Sequence, residues 1–223
     1  MTVRKGNYNV VKPIMELYGK LWKAFHNACH PHHIVPYLFF LRYRRFVFME
    51  NSKEILLNLN DNEWPLEYIT HDRNIVRAIV FDEEGYLYFV RVERDDDFGR
   101  ATLIETAGGG VEGEEDLHQA IKRELKEELG ADIEVVCKLA VVSDYYNLIH
   151  RHNINNYFLC KIKSFGDKNL TLDEIECFHL STLKLTYEEA VLEYKNRTNT
   201  KLGRLICNRE LPVLEHAKQF LIK

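Results

Sequence analysis

GGVEGEEDLHQAIKRELKEELGA, residues 109–131, passes within a few positions from a glycine-rich loop to the clearest helical pattern in the chain. Residues 115–129 are strong helix formers throughout, and Gly130 stands where a helix should stop, because glycine accepts the left-handed backbone of a C-terminal cap. With Glu124 at zero on a helical wheel, Glu127 falls at about −60° and Glu128 at about +40°, so three carboxylates crowd one arc. Like charges at that spacing repel, and a divalent cation such as Mg2+ removes the conflict while keeping waters for a phosphate-bearing ligand. Leu117, Ile121, Leu125 and Leu129 form an apolar stripe from about +20° to +140° that borders the acidic arc, which places the carboxylates at the rim of a core. Arg123 lies beside Glu127 in angle and can brace a carboxylate. Glu115 lies about 180° from Glu124, so any role for it must come from loop geometry at the helix start or from contact through water. Ahead of the helix, Gly108-Gly109-Gly110 allows main-chain carbonyls to approach a ligand or a metal. An ordinary solvated Glu/Lys helix is the plainer alternative for the wheel taken alone.

On both sides of this segment the texture is that of strands. Ile75 to Phe81 reads as one strand, Asp82-Glu83-Glu84-Gly85 as a hairpin turn, and Tyr86 to Val92 as the returning strand. Asp95 to Gly99 is a charged loop and Ala101 to Thr106 a short strand. Further strands are expected at 133–142, 154–163 and 175–180, with helices at 187–197 and from there to about Leu221. Strands mixed with helices predict an α/β (α+β) layer fold. The chain divides into an extension at 1–63 and a domain at 64–223.

The glycine loop and helix together resemble the Nudix box: Gly109, Glu115, Arg123, Glu124, Leu125, Glu127, Glu128 and Gly130 all stand at the box's positions, and Ala131 replaces a larger aliphatic residue. The resemblance implies a mixed sheet between helices and hydrolysis of a nucleoside diphosphate linked to another group, with Mg2+ or Mn2+ as cofactor. By position it makes Glu124, Glu127 and Glu128 metal ligands, the Gly108 carbonyl a main-chain ligand and Glu115 an outer ligand, with Arg123 orienting a box glutamate. Metal ions cancel phosphoryl charge and acidify a bound water. The general base is open between Glu127, Glu128 and a later acid, Glu174 or Glu176. By family analogy the protein is a homodimer.

For substrate, Glu105-Thr106-Ala107-Gly108-Gly109 is similar to the lead-in of ADP-ribose and sugar-nucleotide pyrophosphatases, although no proline occurs between Pro65 and Pro212. Tyr145 and Tyr146 offer rings that could stack on a base, or are core aromatics. Arg151, within the polar run from His150 to Asn156, could meet phosphate or ribose, or belong to a solvated loop. The alternatives are an RNA 5′-end or dinucleoside polyphosphate pyrophosphohydrolase, and a Nudix-like regulator that senses a nucleotide without cleaving it.

Composition narrows the field from outside. The 223 residues are 46% hydrophobic and 29% charged, which excludes disordered and collagen-like classes. A net charge of −4 makes no global case for nucleic acid or an anionic membrane. Residues 1–50 nevertheless carry eight Lys/Arg against Glu16 and Glu50. Such a basic segment would suit an RNA clamp. Five cysteines without a Cys-x-x-Cys pair favour a reducing compartment, hence the cytoplasm. The apolar run Ile34 to Leu41 is too short to span a bilayer. Residues 13–28 read as an amphipathic helix with Pro13 in its first turn. His26, Cys29, His30, His32 and His33 read better as a helix end with exposed imidazoles than as a zinc site, because no second ligand pair follows. Tyr37 to Met49 offers an aromatic and basic face for a partner, a second copy or its own domain.

Overall fold

The computed structural model describes residues 54–221, and the readings at 13–28, 26–33 and 37–49 lie outside them. Seven strands are formed: β1 (Ile55–Leu59), β2 (His71–Phe81), β3 (Leu87–Asp96), β4 (Gly99–Glu105), β5 (Ala131–Tyr146), β6 (Arg151–Phe165) and β7 (Ser181–Leu185). Four helices accompany them: α1 (Leu117–Leu129), α2 (Leu172–Glu176), α3 (Tyr187–Asn196) and α4 (Lys201–Leu221). The sheet runs β1-β5-β6-β2-β3-β4, with β7 also on β3. It is mixed, since β1 pairs β5 and β2 pairs β6 in parallel while the remaining pairs are antiparallel.

Strand alternation divides the sheet's side chains between two cores. Val76, Ala78, Val80, Phe158 and Cys160 pack with Ala120, Ile121 and Leu125 of α1. Ile79, Phe89, Tyr157 and Leu159 pack with Tyr194 of α3 and with Leu202, Ile206, Val213 and Leu214 of α4. Helices therefore cover both faces, the layered α+β arrangement expected of strands whose two sides are both apolar.

The structure differs from the sequence expectations at three places. Strand β1 pairs with β5 from Ile55 opposite Ala140 to Leu59 opposite Asp144, so the sheet takes in residues assigned to the 1–63 extension. The strand expected at 175–180 lies just downstream as β7 (Ser181–Leu185), and the residues before it form the short helix α2. Thr171 and Glu174 form a reciprocal capping box at the start of α2, in which Glu174 Oε2 accepts from the Thr171 N–H at 2.6 Å. Helix α1 also starts two residues later than its pattern implies. Asp116 is its cap, accepting from the His118 and Gln119 N–H groups at 2.7 and 2.8 Å while Gln119 accepts in return from the Asp116 N–H. Gly130 closes the helix in the left-handed region at φ 68°.

Candidate active site

Strands β2 and β3 share only the pairs Val80–Tyr88 and Phe81–Leu87 before they part. Residues 107–110 replace β3 beside β2, through the bridges Ala78–Ala107 and Ile75–Gly110. A cleft of about 620 Å³ opens where the strands diverge. Gly108, Gly109 and Gly110 form part of its wall, facing Glu124, Glu127 and Glu128 of α1. The loop needs its glycines. Gly108 has φ 141°, and a methyl there would lie 2.1 Å from the Val76 carbonyl oxygen; on Gly109 it would lie 2.5 Å from a Glu124 carboxylate oxygen.

The acidic arc is held by two devices. The Gly108 N–H donates to Glu128 Oε2 at 2.8 Å, a contact that the left-handed backbone of that glycine makes possible. Arg123 Nη1 donates to Glu124 Oε1 at 2.9 Å and to Glu127 Oε2 at 3.1 Å, while its Nη2 reaches the Gly110 carbonyl at 2.9 Å. Burial pushes the Glu128 carboxyl up to about 8, with the Gly108 bond opposing it. Burial raises Glu124 as well, against the pull of Arg123. Because α1 begins only at Leu117, Glu115 is free to turn back, and its carboxylate takes Arg123 Nη2 at 2.7 Å and Nε at 3.2 Å. That bond holds Glu115 below the usual carboxylate range and raises Arg123. Lysine has one charged centre and no fork, so Arg123→Lys is expected to lower turnover by about tenfold or more through misplaced carboxylates, measured as kcat on the substrate of the wild type.

The remaining expected site residues divide. Glu174 lines the cleft, with its carboxylate in the α2 cap. Glu176 is exposed and is not part of the lining. Glu105, Tyr146 and Arg151 line the cleft; Tyr145 does not. Strand alternation turns Tyr145 to the opposite face, where it stacks on His152 at 4.6 Å. Glu115 is held on Arg123 rather than in the lining.

Several residues of the cleft escaped the sequence reading. Arg77 and Arg209 line it beside Glu105 and Thr106. Arg209 donates to the Tyr146 hydroxyl at 2.6 Å and to Glu210 at 2.8 Å. Glu210 also accepts from the Thr106 N–H at 2.7 Å and from the Tyr194 hydroxyl at 2.6 Å. A signal existed: the buried stripe of α4 runs Leu202, Leu205, Ile206, Arg209, Glu210, Val213, Leu214, Ala217, and the two charges interrupt it. Arg77 likewise interrupts the apolar run from Ile75 to Phe81. Among the described residues, no helix is long and apolar enough to cross a membrane.

A family model described as NUDIX domain matches residues 71–198. Among solved structures, the chain is similar to a Nudix hydrolase from Nitrosomonas europaea, at 17% identity over 67% of this chain and 90% of that one, with a TM-score of 0.52. It is also similar to the ORF135 protein of E. coli, at 22% identity over 66% and 89% of the two chains, with a TM-score of 0.47. A comparison with curated proteins gives no match. The family model covers more than half of the chain and spans the glycine loop, the acidic helix and the diverging strands: the chain belongs to the Nudix family and is a hydrolase of phosphorus-containing acid anhydrides.

Proposed function

We propose that the protein hydrolyses the diphosphate bond of a nucleoside diphosphate linked to a second group, ADP-ribose or a sugar nucleotide, with Mg2+ or Mn2+. The observation that carries this reading is the convergence of Glu124, Glu127 and Glu128 on the glycine loop within a cleft that also holds arginines. The donor set fits a hard divalent cation, being all oxygen: three carboxylates facing the glycine loop. Among the described residues no three acids stand grouped to hold a metal ion as they are, because Arg123 takes Glu124 and Glu127 and the Gly108 N–H takes Glu128. Holding a cation would therefore require Glu124 and Glu127 to turn from Arg123 Nη1.

The chemistry supplied by a bound divalent cation is cancellation of phosphoryl charge and a lower pKa for coordinated water. The chain's own part is positional. Arg123 keeps two glutamates on one side of the cleft, the Gly108 N–H fixes the orientation of Glu128, and Glu127, Glu128 or Glu174 takes the proton of the attacking water. Val90, Val92, Phe178, Leu180 and Ile206 add an apolar wall suited to a base or a sugar face. The same reading has the protein acting in the cytoplasm as a homodimer, on the strength of the cysteine pattern and the family resemblance.

The test is a panel of ADP-ribose, sugar nucleotides, NADH, dinucleoside polyphosphates and capped or triphosphorylated RNA. ADP-ribose or a sugar nucleotide should be cleaved to a nucleoside monophosphate, with activity abolished by EDTA and restored by Mg2+ or Mn2+. Turnover insensitive to EDTA, or turnover of RNA ends alone, would overturn the reading.

A further inference from the structure

The sheet end of the cleft carries four arginines, Arg73, Arg77, Arg151 and Arg209. Across three strands the register places Tyr146 opposite Arg151, Asp144 opposite Asn153, and Asn153 opposite Arg73. Arg73, Arg151, Asn153, Tyr146, Arg77 and Arg209 all line the same cleft. Two of the four arginines are matched: Arg77 by Glu105 and Glu210, each at 3.4 Å, and Arg209 by Glu210, Glu105 and Asp144. Arg73 and Arg151 form no ion pair among the described residues. The guanidinium of Arg151 lies over the Tyr146 ring at 5.5 Å, and its Nε is buried without a hydrogen-bond partner.

Two further buried atoms on this wall are orphaned. Asn153 is fully buried and gives its amide nitrogen to Asp144 at 3.1 Å, which leaves Oδ1 without a partner. Arg209, 1% exposed, has an unpartnered Nε. Orphaned buried polar atoms are rare and costly, and the half-buried Arg151 also faces the like charge of the exposed Arg73. Burial, and then the charge of Arg73, lower the pKa of Arg151. Arg73 also ties this wall to the glycine loop, since a methyl on Gly110 would lie 2.8 Å from Arg73 Nη2.

A bound anion would neutralise the repulsion between Arg73 and Arg151 and give the Arg151 Nε an acceptor, and forked guanidinium groups suit phosphate better than a point charge does. We infer that Arg73 and Arg151 bind a phosphate monoester on the substrate, additional to the diphosphate that is cleaved. This inference rests on the hydrolase reading and, among nucleoside diphosphates linked to a second group, favours those that carry a further phosphate over ADP-ribose itself and plain sugar nucleotides.

Matched compounds that differ by one phosphate monoester provide the test: NADPH against NADH, and coenzyme A against dephospho-coenzyme A. For at least one pair the wild type should prefer the phosphorylated member by about tenfold or more in kcat/KM, mainly through KM, the size expected of charge-assisted hydrogen bonds. Arg73→Gln and Arg151→Gln should each shrink that preference toward unity, and Arg151→Lys should restore part of it. Equal rates within both pairs in the wild type, or variants that lower both members alike, would overturn the inference. A second arm needs neither metal nor turnover. Inorganic phosphate titrated in EDTA should raise the unfolding midpoint of the wild type, with the two Gln variants requiring about tenfold more phosphate for the same shift. Identical titrations, or no shift in the wild type, would also overturn it. A wild type that cleaves no compound with either metal sinks the hydrolase reading, and the phosphate titration then decides by itself whether the two arginines hold an anion.

Discussion

Glu128→Gln is expected to cut turnover by about a hundredfold or more while making the metal-free protein more stable than the wild type at alkaline pH. Both effects come from one environment. Glu128 is buried at the foot of α1, and its carboxyl sits at about 8 in the fold against 4.5 in the unfolded chain. For a carboxyl raised in this way, the stability it contributes is complete below about pH 4.5 and is lost as pH climbs through 8. The loss has a limiting slope of about 1.4 kcal/mol per pH unit. Glutamine cannot ionise and retains an oxygen for the Gly108 N–H, so the variant avoids that loss. Its advantage in urea unfolding, measured in EDTA, should grow as pH rises toward 8 and level off beyond it. Glu127→Gln should lower turnover to a similar degree, on the order of a hundredfold. Near-wild-type rates for both variants with Mg2+ saturating, or parallel pH curves for the wild type and Glu128→Gln, would contradict this account of the acidic arc.

Glu210→Ala, at a fully buried carboxylate behind the cleft wall, should be strongly destabilising, at about 3–5 kcal/mol. Glu210 is wholly buried and receives the Thr106 N–H and hydroxyl, the Tyr194 hydroxyl, and the guanidinium groups of Arg209 and Arg77. Burial works to raise its carboxyl, but Arg209 and Arg77 outweigh burial and hold it below the ordinary range. Its contribution is therefore present above about pH 4.5 and is lost as pH falls below that value. Alanine would take from Arg209 its shortest carboxylate contact and from Arg77 one of its two, and would leave the Thr106 N–H without its acceptor, and the unfolding midpoint should fall by roughly 10 °C. Tyr194→Phe removes one donor only and should cost about 1 kcal/mol. Comparable losses for the two variants would mean that the buried charges are matched by something other than this carboxylate. Because Thr106 lies in the lead-in to the glycine loop, Glu210→Ala should also weaken activity at temperatures where the variant remains folded.

What could be read along the chain is what depends on local period. The angles of Glu124, Glu127 and Glu128 about α1, their place at the rim of the leucine stripe, and the stop at Gly130 all follow from 3.6 residues per turn and from the backbone freedom of glycine. The box positions add the family, and the alternation from Ile75 to Val92 adds a hairpin that β2 and β3 form. Even here a local contest was missed at Glu115, where capping by Asp116 displaced the first turn and sent the carboxylate to Arg123. The capping box at Thr171 and Glu174 likewise sets a short helix ahead of β7, which begins at Ser181 rather than at 175.

The arginine wall belongs to a different level of organisation. That Tyr145 and Tyr146 face opposite ways follows from the pleat, but which of them meets the cleft depends on how β5 is laid against β6, and a slip of one residue would exchange them. Arg209 and Glu210 announce themselves as charges within an apolar stripe, yet their partners Thr106 and Asp144 come from strands and loops far away in the chain. Helical faces are set by neighbours three and four residues distant, so a single stretch of chain specifies them. Neighbours across a sheet are set by register and by where strands diverge, which only the assembled fold supplies.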